Sequence, residues 1–263
     1  MNQLTSNEFA DVHFDDHGVA TLCIVNAKSM NILGTPVIEA LTTAVNVIAA
    51  DPRVRVVVLR GSGDKAFVGG ANIYEMAALQ PDTAAAFITR LGGLCEAVRS
   101  LPMPTIARLS GYCLGGGLEL ALCCDLRLSS THAYYGMPEV HVGIPSVIHA
   151  ALMPRLIGAS RAQWMLLTGD NIDAARAEQW GLVHSLHAPN ELDAAIAAQA
   201  QRLAALGPAV LRQQKALLRA WEKRGIDEAI AATIPEFAKA FTTGEPAQYM
   251  AAFTQRKPNN KRQ

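Results

Sequence analysis

Hydrophobic residues in the first half of the chain follow two alternating patterns. β-Branched or apolar runs at 19–25, 54–60 and 104–109 predict buried strands, and 125–128 and 133–135 indicate further short ones. Between them, residues 35–50 place apolar side chains at helical spacing, and 82–100 and 118–124 also predict helices. The order predicts an α/β core in this part of the chain.

The pattern changes near residue 147, beyond which helical spacing dominates. One short strand, 182–186, interrupts helices predicted at 147–157, 159–168, 172–180, 189–206, 208–223, 226–240 and 245–255. We therefore expect a core over residues 1–190, followed by an all-helical C-terminal region over 191–263.

Composition narrows the class of protein. The 263 residues are 50% hydrophobic and 17% charged, with a net charge of zero, which excludes a disordered chain and argues against a nucleic-acid partner. Neither a secretory signal nor an uncharged run of about 18 apolar residues is found, so we expect no membrane partner and a cytoplasmic location. The five cysteines are odd in number and form no C-x-x-C pair, which favours buried free thiols.

Two glycine-rich turns share one layout, in which a strand precedes the turn and a helix follows it. They span residues 61–72 and 110–117. Unpaired N–H groups at such turns can stabilise negative charge developing on a carbonyl oxygen. Two alternatives stay open: the glycines serve only tight packing, or Gly61-x-Gly63-x-x-Ala66 binds a dinucleotide. The second fits poorly, because Gly69-Gly70 delays the helix.

Two carboxylates lie among apolar residues. Glu119 falls in the first turn of the helix predicted at 118–124, and Glu139 follows Met137-Pro138. Taken singly, Glu119 is explained as a favourable charge at a helix N-terminus, and Glu139 as an acid on a solvent-facing loop. Together they suggest a pair that holds one water. We expect the helix terminus to keep Glu119 ionised, and the apolar loop to favour protonated Glu139.

These segments resemble the crotonases, the enoyl-CoA hydratase/isomerase superfamily. The resemblance runs from about residue 19 to 257 and rests on three stretches in order: FVGGANIYEM (67–76), GYCLGGGLELA (111–121) and GMPE (136–139) followed by GIP (143–145). It implies a spiral of ββα units with a helical C-terminal part that assembles a homotrimer or dimer of trimers. It also implies that the N–H groups of Ala71 and Gly116 form an oxyanion hole, and that Glu119 and Glu139 are the acid/base pair.

The resemblance further implies a coenzyme A thioester as substrate, with no separate cofactor and no metal. The substrate-binding positions it implies are Lys28, Ser29, Met30, Gly70, Asn72, Ile73, Gly115, Pro138, Ser146, Phe253 and Lys257. Among the departures from the family pattern, Asn72 replaces the usual Asp and Tyr74 replaces a common Lys. Residues 146–150 replace a glycine-rich run that borders the acyl pocket in the family, and this departure bears on the substrate.

Because both glutamates are present, the resemblance implies a hydratase that converts a 2-enoyl-CoA to a 3-hydroxyacyl-CoA in fatty acid metabolism. One alternative is another crotonase reaction, namely double-bond isomerisation or C–C cleavage. Another is a non-catalytic relative that binds CoA or RNA, suggested by a basic stripe on one face of the helix predicted at 208–223. The stripe contains Arg212, Lys215, Arg219 and Lys223.

Overall fold

The computed structural model of the chain describes residues 2–254. The strands are β1 (Asn2–Ser6), β2 (Ala10–Phe14), β3 (Val19–Ile24), β4 (Val56–Gly61), β5 (Ala66–Val68), β6 (Thr105–Leu109), β7 (Tyr112–Leu114), β8 (Leu126–Ser130), β9 (Tyr134–Gly136), β10 (Ile172–Asp173) and β11 (Ser185–His187). The helices are α1 (Thr35–Ala50), α2 (Ile73–Met76), α3 (Pro81–Arg99), α4 (Gly116–Leu122), α5 (Met153–Ile157), α6 (Ala159–Thr168), α7 (Ala174–Gln179), α8 (Leu192–Ala204), α9 (Pro208–Trp221), α10 (Ile226–Ala240) and α11 (Glu245–Thr254). Short 3-10 turns occur at Pro138–Val142, Ile148–Leu152 and Phe241–Thr243.

The larger sheet has the order β1-β2-β3-β4-β6-β8-β11. β1, β2 and β3 pair antiparallel, whereas β3, β4, β6, β8 and β11 run parallel. α1 and α3 pack against each other. The side chains that the spacing placed on one face of α1 are all buried: Val37, Ile38, Leu41, Ala44, Val45 and Ile48. Burying each large apolar side chain contributes roughly 1.5–3 kcal/mol to folding.

A smaller sheet has the order β10-β9-β7-β5, in which β5, β7 and β9 are parallel. Each of these three strands follows a strand of the larger sheet, because β4 leads to β5, β6 to β7 and β8 to β9. A helix then follows β5 and β7. This repetition confirms the predicted spiral of ββα units with a helical C-terminal part.

The sequence patterns missed β5 and β7. Each is three residues long and lies within the stretch that was interpreted as a glycine-rich turn. Such runs are too short to show the alternation on which strand prediction depends. Their effect is large, because they extend the chain from the larger sheet into a second one before each helix begins.

By contacts the chain divides into two compact units, Met1–Ala204 and Ala205–Gln263. The first helix of the region predicted over 191–263, α8, thus belongs to the first unit. The reason is packing: α8 buries an apolar face in a cluster with strands β3, β4, β6 and β8. That face consists of Leu192, Ile196, Ala200 and Ala204.

The second unit carries an apolar stripe along α10 and the 3-10 turn after it. Its side chains recur at helical spacing and are 52% to 74% exposed: Ile226, Ile230, Ile234, Phe237 and Phe241. On α9, Lys215 is buried, so this member of the predicted basic stripe does not face solvent. No helix in the described range is both long and apolar enough to cross a membrane.

Candidate active site

Three segments leave the same edge of the smaller sheet. Residues 69–71 follow β5, residues 115–116 follow β7, and residues 137–139 follow β9. Because these strands are parallel neighbours, their carboxyl ends lie side by side. The sheet therefore brings together three motifs that are spread between residues 69 and 139 of the chain.

These segments line a cavity of about 810 Å³. Ala71, Gly116, Glu119 and Glu139 all contribute to its wall. The rest of the wall is mainly apolar and comes from α2, α3 and the segments that follow α2 and Glu139: Ile73, Met76, Leu79, Ala84, Phe87, Ile88, Leu91, Val142, Ile144 and Val147. A cavity with apolar walls and a few convergent polar groups is typical of a small-molecule site.

The direction of the Ala71 N–H is set by Leu33. Leu33 forms an isolated parallel bridge with Ala71, donating its N–H to Gly70 O over 3.0 Å and accepting Asn72 N–H over 3.0 Å. In such a bridge the central residue turns its own N–H away from the partner strand. The Ala71 N–H thus lies outside this pairing, at a residue that lines the cavity.

The second N–H belongs to Gly116, the first residue of α4. N–H groups in the first turn of a helix have no partner within that helix. Gly115 before it has φ +51° and ψ −127°, a conformation open in practice only to glycine. A Cβ on Gly115 would also lie 2.5 Å from Glu139 Oε1, so this position joins the turn to one of the carboxylates.

Glu119 is 3% exposed and accepts a hydrogen bond from the Ala150 N–H at Oε1 over 3.0 Å. Burial, reinforced by the negative charge of Glu139, raises the pKa of Glu119 to about 8, although the Ala150 bond acts in the other direction. The expectation of an ionised Glu119 was therefore wrong. Loss of water around the carboxylate outweighs the field of the seven-residue helix α4.

Glu139 lies at the start of the 3-10 turn Pro138–Val142 and is partly buried. It accepts a hydrogen bond at Oε2 from the Ser146 hydroxyl over 2.9 Å. Burial raises its pKa, while hydrogen bonds to its own backbone N–H and to Ser146 oppose that rise. The direction of the pKa shift is the expected one, and the negative charge of Glu139 in turn raises the pKa of Glu119.

The loop predicted to contact coenzyme A packs onto the first glycine turn. Met30 O accepts the Gly69 N–H over 2.7 Å. Lys28 lies with its Nζ 5.6 Å from the centre of the Tyr74 ring, and Lys65 Nζ lies 3.5 Å from Ser29 Oγ. Two exposed lysines thus lie next to the turn that forms one edge of the cavity.

Comparison with known proteins gives the family. The sequence profile of enoyl-CoA hydratase/isomerase matches residues 15–263. The chain is 34% identical to the crotonyl-CoA hydratase of Syntrophomonas wolfei, over 92% of this chain and 94% of the relative. It belongs to the enoyl-CoA hydratase/isomerase family, within the crotonases. It is also 30% identical to the short-chain-enoyl-CoA hydratase of Clostridium acetobutylicum, over 91% of this chain and 92% of that one.

The crotonase architecture also appears in the crystal structure of an enoyl-CoA hydratase from Bacillus anthracis. It superposes with a TM-score of 0.91 at 27% identity, covering 95% of this chain and 97% of the other. The fold expected from the three sequence stretches is thereby confirmed at the level of the whole chain.

The structure brings most of the predicted site residues of this crotonase into one cavity. Beside the four polar groups, its wall contains Gly70, Ile73, Gly115, Pro138 and Ser146. Asn72 has another role, because its side chain caps α2 by accepting the Tyr74 N–H over 3.2 Å. Lys28, Ser29 and Met30 lie on the adjoining loop rather than in the wall. Lys257 and the side chain of Phe253 lie outside the described residues.

Other residues of the site were missed from the sequence. His141 lines the cavity and bonds through Nε2 to Thr168 O over 2.7 Å, and Ala150 supplies a backbone donor to Glu119. A main-chain donor such as the Ala150 N–H cannot be predicted from a sequence pattern, because every residue type except proline carries one. The α3 wall was foreseeable in principle, since Ala84 and Ile88 extend the apolar surface beyond the core-facing stripe of that helix.

Proposed function

We propose that this crotonase hydrates a 2-enoyl-CoA thioester to the 3-hydroxyacyl-CoA. The observation that carries the proposal is the pair Glu119 and Glu139, one buried and one partly buried carboxyl group that face one cavity. Their placement suits two proton transfers on one substrate. Relatives named as crotonyl-CoA and short-chain-enoyl-CoA hydratases support the same reaction.

The thioester oxygen would accept hydrogen bonds from the N–H groups of Ala71 and Gly116. Addition of water at C3 moves electrons through C2 onto this oxygen as an enolate. Two preoriented donors stabilise that charge more than the charge of the ground-state carbonyl, and therefore lower the barrier. Mainly apolar walls strengthen the effect, because they exclude water that would screen the charge.

The glutamate pair would hold the reacting water. Because burial raises both pKa values, the pair retains a proton near neutral pH, leaving one carboxylate and one carboxylic acid. The carboxylate takes a proton as the oxygen of water bonds to C3, and the acid delivers its proton to C2. The pair ends with the same number of protons, so the cycle is balanced.

The direct test is loss of the conjugated-thioester absorbance when crotonyl-CoA is mixed with the protein. Glu119→Gln and Glu139→Gln should each lower kcat by about two to four orders of magnitude, the usual contribution of acid/base catalysis. Exposed Glu191→Gln is the matched control and should retain full activity. Undiminished turnover in Glu139→Gln would refute the mechanism, and conversion of a 3-enoyl-CoA to the 2-enoyl isomer without hydration would refute the hydratase assignment.

We also infer a homotrimer or a dimer of trimers. The support within this chain is the apolar stripe on α10, because contiguous exposed apolar surface of this kind marks protein–protein contact. A second copy of the chain is the simplest partner for it in a homo-oligomer.

A further inference from the structure

A cluster of two thiols and an imidazole lies behind Glu119, outside the cavity. Cys95 comes from α3, Cys123 directly follows α4, and His149 belongs to the 3-10 turn Ile148–Leu152. One ligand atom from each lies within 4.8 Å of those from the other two. Both cysteines are buried and the His149 side chain is 13% exposed.

The two nitrogens of His149 differ in their surroundings. Nε2 lies 3.4 Å from Glu96 Oε2, and Glu96 is in turn paired with Arg99 over 3.3 Å. Nδ1 is buried and has no nitrogen or oxygen hydrogen-bond partner among the residues that the structure describes, and the imidazole interacts with the Cys123 thiol. A metal-binding histidine commonly has this arrangement, with a carboxylate on one nitrogen and the metal on the other.

We propose that Cys95, Cys123 and His149 form a binding site for a soft divalent cation, with Zn²⁺ as the best fit. Thiolate and imidazole ligands select zinc over calcium or magnesium. Tetrahedral Zn²⁺ with Zn–S near 2.3 Å and Zn–N near 2.0 Å separates its ligand atoms by about 3.5–3.8 Å. The observed cluster reaches that spacing if its side chains move inward by about 1 Å or less.

Binding converts two thiols to thiolates and releases two protons to solvent, so no oxidant or reductant is involved. The fourth coordination position is open to water. Glu96, whose carboxylate lies 3.4 Å from His149 Nε2, also lines a groove of about 680 Å³ between α1 and α3.

The location links this site to the proposed acid/base pair. The protonated Cys123 thiol donates to Glu119 O over 3.2 Å, a bond that is lost when the thiol becomes a thiolate, and Ala150, the neighbour of His149, donates to Glu119 Oε1. A cation held by all three ligands would therefore tie together α3, α4 and the turn that carries Ala150. Its role is structural, since the ligands lie behind the carboxylate.

The test uses the reduced full-length protein and Co²⁺ as a spectroscopic probe. We expect one Co²⁺ per chain, a thiolate-to-cobalt charge-transfer band in the near ultraviolet, and loss of that band when Zn²⁺ is added. Cys95→Ala, Cys123→Ala and His149→Gln should each weaken binding at least tenfold, about 1.4 kcal/mol. Cys124→Ala is the matched control, because Cys124 is adjacent and equally buried but lies outside the cluster.

X-ray absorption on the unaltered zinc-loaded protein keeps the proposal testable if those variants fail to fold. It should find two sulfur ligands at about 2.3 Å. Absence of the charge-transfer band at saturating Co²⁺, equal affinity in Cys123→Ala and Cys124→Ala, or an all-nitrogen/oxygen shell would each overturn the proposal. The last result would indicate a surface site, such as His13 with Asp11. None of these readouts depends on hydratase activity.

Discussion

The Ser146 hydroxyl bonds to Glu139 Oε2 over 2.9 Å. Ser146 begins the segment in which this chain departs from the glycine-rich run of the crotonases. A donated hydrogen bond stabilises the ionised carboxylate and partly offsets the effect of burial on the pKa of Glu139. The departure therefore supplies a polar partner to one member of the proposed catalytic pair.

Replacing Ser146 by Ala should shift the pH–rate profile. Without the hydroxyl, the pKa of Glu139 rises further, so the limb of the profile that Glu139 controls should move to higher pH. The lost hydrogen bond to a charged group corresponds to about 1.5–3 kcal/mol, or roughly a 10- to 150-fold lower kcat. Ser146→Thr keeps a hydroxyl and should stay closer to the original profile. An unmoved profile in Ser146→Ala would show that the bond has no influence on catalysis.

Gly115→Ala should lower kcat by more than its loss of stability can explain. Its Cβ would lie 2.5 Å from Glu139 Oε1, and the positive φ adds backbone strain of roughly 1–3 kcal/mol. Gly158→Ala is a matched control, since Gly158 has φ +83° but nothing within 4 Å of its Cβ position. Both variants should lower the Tm, and only Gly115→Ala should also lower kcat, by at least tenfold. Equal kcat values in the two folded variants would contradict the contact with Glu139.

Glu119→Gln should stabilise the protein at alkaline pH. Since the pKa of Glu119 is raised from 4.5 to about 8 in the folded state, its stabilising contribution is full below pH 4.5 and is lost as the pH rises to 8. A glutamine keeps the acceptor for the Ala150 N–H and cannot ionise. Thermal unfolding should give Glu119→Gln the higher Tm at pH 8, with the difference shrinking at pH 5. A pH-independent difference would contradict the raised pKa.

Substitution of Lys28 or Lys65 tests whether these lysines contribute to coenzyme A recognition. Each variant to Ala should raise KM for crotonyl-CoA about 5- to 10-fold with little change in kcat, as expected when a phosphate contact of about 1 kcal/mol is lost from ground and transition states alike. The crotonyl thioester of pantetheine lacks the nucleotide phosphates and serves as the control. If its KM rises equally, the lysines do not bind phosphate.

The α10 stripe should control assembly. Ile234→Asp and Phe237→Asp place a charge in the stripe, and we expect both to reduce the mass in solution from an oligomer to a single chain, measured by light scattering after gel filtration. Leu167→Asp is the control, because Leu167 is 76% exposed but lies outside the stripe, in the first unit. A single-chain mass for the unaltered protein at micromolar concentration would contradict the proposed assembly.

The sequence predicted the polar groups of the site better than their environment. Glu119, Glu139, Ala71 and Gly116 belong to recognisable stretches, and the smaller sheet brings them together. The pKa of Glu119 could not be read from the same stretch. It depends on the turn that holds Ala150, 31 positions away, and on the exclusion of water from the folded core.

The cluster formed by Cys95, Cys123 and His149 could not be predicted from the sequence either. Motif searches test spacings of a few residues, whereas Cys95, Cys123 and His149 are 28 and 26 positions apart. Their proximity arises because α3, α4 and the turn Ile148–Leu152 pack together. Secondary structure followed local periodicity well for α1 and α3, and least well for the three-residue strands β5 and β7.

The bridge between Leu33 and Ala71 has a practical consequence for protein chemistry. The bridge and the N–H that it orients are both main-chain features, so no exchange of the Leu33 or Ala71 side chain for another primary amino acid deletes that donor. A backbone ester made by semisynthesis, with lactic acid in place of Ala71, removes this one hydrogen and keeps the methyl group. The rate of that protein would measure what a single main-chain hydrogen contributes to catalysis.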